Sequence, residues 1–256
     1  MPAVSLVEFR EVSKRFGAGP VVLDRISFAA NSGDFICLIG PSGCGKSTAL
    51  RLLAGLSPVT SGELIVNGRT PDAAAADLAF VFQEPTLLPW LTVAQNIQIP
   101  QKLRRVPETE RVATTKRVLE LVRLSEKADA YPRQLSGGQK MRVSIARALA
   151  LAPTLLLLDE PFGALDEMTR EHLNEELLAI RQLHAWTTFF VTHSVAEAVF
   201  LSNRILVMSA NPVRIHTEIN VPLAYPRTDQ TRLSREYHDL VAQVSRVLRS
   251  VEVVAA

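Results

Sequence analysis

The sequence predicts an α/β protein: a parallel sheet covered by helices on both faces, preceded by an antiparallel β lobe and interrupted by a helical lobe. Three observations predict it. From Thr154 onward, short apolar runs suited to buried strands alternate with helical patterns, as a parallel sheet with two covered faces requires. Roughly the first 70 residues read instead as short strands bounded by Gly, Asn and Ser. Between Glu84 and about Leu149 the texture turns helical.

Each element follows in order. "VSLVEFREV", "VVLDRISFAA", "GDFICLIG" and "GELIVNG" are strands by β-branched or alternating character. After Thr48, "ALRLLAGL" has helical spacing and stops at Gly55 and Pro58. "LAFVFQ" is a further strand. Pro107 sits at a first helical position, and Val112, Val118, Leu119 and Val122 then form a stripe of about 3.6 period. "TLLLLDE", "LNEELLAIRQL", "TTFFVTH", "VAEAVF" and "RILVMS" alternate strand with helix. Leu233, Tyr237, Leu240, Val241, Val244 and Leu248 mark one amphipathic C-terminal helix over about 229–250. With no internal repeat and no low-complexity linker, residues 1–256 read as one domain with a helical lobe over about 84–150.

Composition narrows the function. At 256 residues the chain can bury a sizeable core, and 47% hydrophobic with 21% charged residues is ordinary for a globular protein. A net charge of +2 gives no electrostatic case for nucleic acid, and the modest basic cluster in "QKLRRV" reads as a solvated helix face. Cys37 and Cys44 supply neither a disulfide framework nor a metal site, which fits a reduced, cytosolic setting. The N-terminus is charged early and alternates like a strand, so no secretory leader is expected. The richest apolar run, "IARALALAPTLLLL", is broken by Arg147 and Pro153. No membrane span is expected, and any membrane role must come through a partner.

"GPSGCGKST", Gly40–Thr48, carries the chemistry. It fits G-x-x-x-x-G-K-[ST] and lies after a strand and before a helix, where a phosphate loop belongs. Gly40, Pro41, Ser42, Gly43, Cys44, Gly45, Lys46, Ser47 and Thr48 would wrap the phosphates of a nucleotide. The glycines let backbone amides converge, Lys46 meets the terminal phosphates, and the Ser47 hydroxyl is placed for Mg²⁺. Cys44 reads as small filler rather than a redox sensor. Asp159 ends the buried strand "LLLLDE" and would orient Mg²⁺; Glu160, one residue on, would polarise a water for in-line attack. That pairing favours hydrolysis over transfer to a second substrate. A second anion-facing helix start follows in "QLSGGQKMR", at Ser136, Gly137 and Gly138.

Beside these motifs stand "VFQEP", "LSGGQ", "GALD" and "VTH", in order and at suitable intervals. With them the chain resembles the ATP-binding subunit of ABC transporters over nearly its full length, which implies a RecA-like P-loop NTPase core. The resemblance implies an ATPase that uses ATP and Mg²⁺. It makes Phe16 the aromatic that stacks on adenine, where the residue alone would read as core, and puts Val22 in the same pocket. Gln83 would reach Mg²⁺ and the water, Glu160 would be the general base, and His193 would hold the terminal phosphate. Asp166 would cross a dimer interface. Ser136, Gly137, Gly138 and Gln139 would cap the γ-phosphate bound to Lys46 of a second copy, so that one isologous patch makes two sites.

The resemblance further implies a homodimer docked on two transmembrane permease subunits and, through them, a solute-binding protein, at the cytoplasmic face of the inner membrane. "FQEPTLLPWLTVAQNI", "THSVAEAVFLSNRILVMS" and "YPRT" are similar to the nitrate, sulfonate and taurine importers, a group with relatives for pyrimidine precursors. "EPTLLPW", Glu84–Trp90, would contribute to docking through apolar residues in a loop. Val213 departs from the glycine usual in that group, Ser194 from the aspartate common in the wider family, and Lys140 and Met141 from the polar residues common after the glycines. A soluble ABC ATPase acting on nucleic acid would carry a coiled-coil insertion or two nucleotide domains, and neither is seen; a P-loop kinase would lack "LSGGQ".

Overall fold

The computed structural model describes residues 5–184, 186–210 and 213–255, with side chains to Val251 in the last helix. Residues 1–4, which include Val4 of the first expected strand and bear on the reading of the N-terminus, and Asn211 and Pro212 of "NPVRI" lie outside the described residues.

Strands β1 (Ser5–Arg15) and β2 (Val21–Asn31) form an antiparallel hairpin. Strand β3 (Phe35–Ile39) runs into a glycine loop and helix α1 (Lys46–Leu53). That helix stops where Gly55 takes φ +68°, a conformation that favours glycine. Strand β4 (Ser61–Val66) returns to pair with β1, completing a three-stranded sheet in the order β2-β1-β4. After β5 (Leu78–Val81) the chain builds the helical lobe from α2 (Val93–Leu103), α3 (Glu108–Leu121) and α4 (Gly137–Leu149). Then β6 (Leu155–Asp159), α5 (Glu167–Gln182), β7 (Thr187–Val191), α6 (Val195–Leu201) and β8 (Arg204–Met208) alternate. Strand β9 (Ile215–Asn220), α7 (Asp229–Arg232) and α8 (Arg235–Ala255) close the chain.

The main sheet has the order β5-β6-β7-β3-β8-β9, parallel except for the antiparallel edge strand β9. Its central strands β3, β6 and β7 are buried along their whole length because both faces are covered, as the sequence predicts. Phe35, Cys37 and Ile39 of β3 join one core with Leu156, Leu158 and the helices, while Ile36 and Leu38 join a second with Leu155, Leu157, α1 and the β lobe. The period of two along each strand thus separates two cores.

Five expectations change in detail. Pro107 is the N-cap of α3 rather than its first helical residue. Val118, Leu119 and Val122 are buried, but Val112 at the start of the same stripe is 53% exposed. The tail is two helices, not one: Leu233 ends α7 and is 72% exposed, while Tyr237 and Val244 of α8 are buried. Strand β9 was not expected, although "IHTEIN" alternates apolar with polar residues as an edge strand does. In "QKLRRV", Lys102, Arg104 and Arg105 are solvated as expected, whereas Gln101 is buried and donates to Ala150 O at 3.1 Å.

Candidate active site

The parallel strands β3, β6 and β7 deliver their carboxyl ends to one edge of the sheet, where open α/β sheets bind ligands. The glycine loop leaves β3 there. Gly40 has no room for a side chain: a Cβ would lie 2.6 Å from Met208 O and 2.8 Å from Cys44 Sγ. Gly45 holds φ +81°, and a Cβ on it would lie 2.8 Å from Leu23 Cδ2 and 3.2 Å from Val22 O. Its bareness lets β2 lie against the loop. Helix α1 begins with no side-chain cap and no acid in its first turn, so its first N–H groups remain available to an anion. Lys46 is 4% exposed, and its Nζ donates to Gly40 O and Pro41 O, each at 2.9 Å. Backbone carbonyls accept from the buried ammonium, and among the described residues no carboxylate pairs with it. Burial pushes the Cys44 thiol up despite nearby Lys46, in keeping with an inert filler.

Ser47 Oγ donates to Asp159 Oδ1 at 2.8 Å, joining the loop to the end of β6. Burial raises the Asp159 carboxyl above the ordinary aspartate range; the Ser47 bond opposes this and Glu160 adds to it. A hydroxyl and a desolvated carboxylate are hard oxygen donors, and the pair fits Mg²⁺.

Glu160 takes φ +47°, rare for a residue with a side chain, and its N–H donates to Val191 O at 3.0 Å. The bend at Glu160 accompanies a close pairing: Glu160 Oε1 and His193 Nε2 lie 2.6 Å apart. His193 follows β7 in a turn braced by its neighbours. Ser194 N donates to Thr192 Oγ1 at 3.0 Å, and the Thr192 hydroxyl donates to the buried Glu197 carboxylate. Ser194 caps α6 through Glu197 N at 3.3 Å. The departure from aspartate therefore keeps the cap, because serine and aspartate cap about equally well. Gln83 is exposed two residues past the end of β5, whose last residue, Val81, pairs with Leu158 two residues before Glu160.

Phe16 and Val22 flank the β1–β2 turn, where Arg15 pairs with Val21. Phe16 is 49% exposed, too open for the core reading. Ser136 caps α4 through a capping box with Gln139, accepting from Gln139 N at 3.3 Å. A Cβ on Gly138 would lie 2.9 Å from Thr169 Cγ2, and one on Gly137 3.3 Å from Leu165 Cδ2. The glycines therefore allow α4 to meet the start of α5, whose N-cap is Asp166. Asp166 is exposed, and the Thr169 N–H bond holds its carboxyl below the ordinary range. Ser136, Gly137 and Asp166 thus share one open patch. Among the described residues, no hydrogen bond or ion pair joins that patch to the phosphate loop of the same chain.

Three supporting residues escaped the motif reading. Asn96, fully buried, binds Leu88 N and the carbonyls of Leu88, Leu91 and Thr92. Arg147 of α4 donates to Pro85 O at 2.9 Å and to Thr86 O at 3.0 Å. Together they hold the segment after Gln83 and tie it to the helix that starts at Ser136. Within that segment Leu87 and Leu88 are half-buried while Trp90 is 69% exposed. The third, Lys14, lies under Phe16. A polar residue inside an amphipathic pattern is the only sequence signal any of them gives.

A strand–loop–helix unit with a buried lysine turned on its own carbonyls defines the phosphate-loop class of nucleotide-binding proteins. Comparison with known proteins is more specific. The ABC transporter family model matches residues 23–163. The chain is 46% identical over 240 residues to an aliphatic sulfonates import ATP-binding protein, SsuB, of Bacillus cereus, covering 93% of this chain and 94% of that one. It is 43% identical over 231 residues to a putative ATP-binding protein of Brucella abortus, covering 90% and 88%. Among solved structures it is similar to a dimeric ATP-binding cassette in a post-hydrolysis state bound to ADP and Pi, with TM-score 0.75 and 29% identity over 85% of this chain and 100% of that chain. The chain belongs to the ABC transporter family. It is an ATPase coupled to transport, built on the α/β core with β and helical lobes that the sequence predicts.

Proposed function

We propose that two copies of this chain close head to tail on two ATP molecules and so drive import of a small solute of the sulfonate, nitrate or taurine type. The observation that carries the dimer is the unlinked pair of half-sites: Lys46 and Ser136 lie in one chain without a bond between their loops. In the closed pair, the Ser136 hydroxyl proton, free while Oγ accepts from Gln139 N, and the Gly137 and Gly138 amides would meet the γ-phosphate at Lys46 of the other copy. Asp166, beside them, would cross the same interface. Phe16 would stack on adenine, with Val22 lining the same pocket.

Ser47, Asp159 and Gln83 would hold Mg²⁺, which would supply charge neutralisation at the phosphates. No group of three or more His, Cys, Asp or Glu among the described residues could hold a metal alone, so nucleotide and water would complete the set. Glu160 would take the proton of the attacking water, and His193, at 2.6 Å, would orient that carboxylate and reach the terminal phosphate.

The solute class rests on the Bacillus cereus relative, which covers nearly all of this chain. No helix among the described residues is long and apolar enough to cross a membrane. By its similarity to import ATP-binding proteins, the chain would sit on the cytoplasmic face of the inner membrane, held by two permease subunits through Glu84–Trp90, with a solute-binding protein beyond them. Reconstitution with candidate permease and solute-binding-protein subunits tests this. Sulfonate- or taurine-loaded binding protein should stimulate ATP hydrolysis several-fold and drive uptake. Stimulation only by a different solute, such as a pyrimidine precursor, would overturn the solute class, and recovery with nucleic acid instead of permease would overturn the importer.

A further inference from the structure

We propose that Lys14 is a positioning residue for the nucleotide base: it fixes the Phe16 ring from behind so that the open face is presented to the purine. The inference rests on Phe16 being the adenine platform. Lys14 lies on β1 opposite Leu23, and Leu23 is the residue that abuts Gly45 of the phosphate loop. Its side chain is 6% exposed although it carries a charge. Burying an ammonium is costly unless its protons find partners. Here Nζ donates to Pro58 O at 2.6 Å and lies 4.7 Å from the centroid of the Phe16 ring. Pro58 belongs to the segment leading into β4, so a single cation links the β lobe to the face of one half-exposed aromatic ring.

Two physical consequences follow. A desolvated cation over an aromatic face is attractive, so the ring is held in one orientation before the base arrives. Less rotamer freedom is then lost on binding, and preorganisation of this kind strengthens affinity. The cation also draws π density toward its own side, leaving the outer face poorer in electrons and better matched to an electron-rich purine. A methionine could fill the space of the lysine stem, but it would hold the ring by packing alone.

The test uses steady-state hydrolysis of MgATP and MgCTP by the purified chain. Lys14→Met should raise KM for ATP by about 3- to 10-fold and lower kcat/KM by the same factor, an effect of the size expected for one preorganised side chain. The effect on CTP, whose smaller base stacks less, should be under about twofold, and Lys14→Arg should restore ATP binding by keeping a cation over the ring. In a Phe16→Ala background, Lys14→Met should have no further effect on KM. If Phe16→Ala leaves KM for ATP unchanged, the adenine platform itself is wrong. If Phe16→Ala raises KM but Lys14→Met does not, or raises it equally for CTP and in the Phe16→Ala background, Lys14 only staples the β lobe and the proposal falls. Should Lys14→Met fail to fold, an Arg variant with unaltered KM and a Gln variant impaired for ATP alone would support the proposal; equal impairment of both would overturn it.

Discussion

Asp159 and Glu160 are neighbours in sequence, yet their surroundings give them different work. Asp159 ends a strand buried on both faces, accepts from Ser47 Oγ at 2.8 Å, and has its carboxyl raised by that burial. Glu160 turns away in the left-handed region and meets His193 instead. The raised carboxyl has a consequence for stability. A folded-state pKa above the unfolded value means that ionisation costs stability as pH rises from the ordinary aspartate range through the folded value, and the deficit persists at neutral pH. Asp159→Asn keeps an oxygen for Ser47 and removes that charge. The variant should melt at a higher temperature than the parent at pH 7–8 without magnesium, and the difference should shrink in acid as the parent's carboxyl protonates. MgATP should stabilise the parent strongly and the variant little. A variant less stable at neutral pH, with Mg²⁺ response intact, would remove Asp159 from the metal set. These proposed roles differ in how far the sequence alone points to them. Lys46 and Ser47 follow from a motif whose spacing dictates geometry, and Asp159 from its place at the end of an apolar strand. Phe16 and His193 do not, because an isolated aromatic or histidine has many structural uses, and only family resemblance singled them out. The positive φ at Glu160 has no sequence signal.

At the scale of elements, α4 links more than its sequence suggests. Its N-terminus carries Ser136, its first turn meets α5 across Gly138, and its last turn carries Arg147 into the segment after Gln83. A shift of the segment after Gln83 therefore moves the helix start that would face the second nucleotide. Arg147 is desolvated, which lowers its affinity for a proton, and its partners there are carbonyl and hydroxyl oxygens of Pro85, Thr86 and Ser144. Hydrogen bonds from charged donors contribute about 1.5–3 kcal/mol each net, less where they are shared. Arg147→Met should lower stability by about 2–4 kcal/mol. It should also raise amide exchange across residues 84–91 while leaving exchange at the phosphate loop unchanged. Equal protection in both proteins would mean that Asn96 alone holds the segment. Element types were legible wherever burial was two-sided, because a strand such as "TLLLL" has no other stable reading. Boundaries and edges were less so. Val112 fits the period of α3 but lies beyond the reach of its neighbours, and Leu233 fits the period of α8 but belongs to a separate turn. The edge strand β9, buried on little more than alternate residues, gave too short an alternation to stand out.

At the scale of the whole molecule, the proposed unit of ATP hydrolysis is larger than the chain. On that proposal the phosphate loop and the Ser136-capped helix start, unbonded to each other among the described residues of one copy, would become a pair of complete sites only through two-fold pairing. Moving such a pair from mostly open to mostly closed takes about 5.5 kcal/mol of differential affinity, which two sandwiched nucleotides can share between them. Mixing experiments test the arrangement directly. Lys46→Ala removes the ammonium from one half-site, and Ser136→Arg fills the other with a side chain, so each homodimer has two broken sites and should lack ATPase activity. A heterodimer of the two carries one site with Lys46 and Ser136 both intact and one with neither. Differently tagged chains, co-expressed and purified for both tags, should then recover activity approaching half that of the parent, while tandem-purified homodimers of either variant stay inactive. Ser136→Arg should still bind ATP as a monomer, measured by quenching of a fluorescent nucleotide, because Lys46 and the loop are untouched. Full activity in the Ser136→Arg homodimer would place the helix start outside the site. Inactivity in confirmed heterodimers that still bind nucleotide would mean that the two sites fire only together, a stronger coupling than the geometry of either half requires.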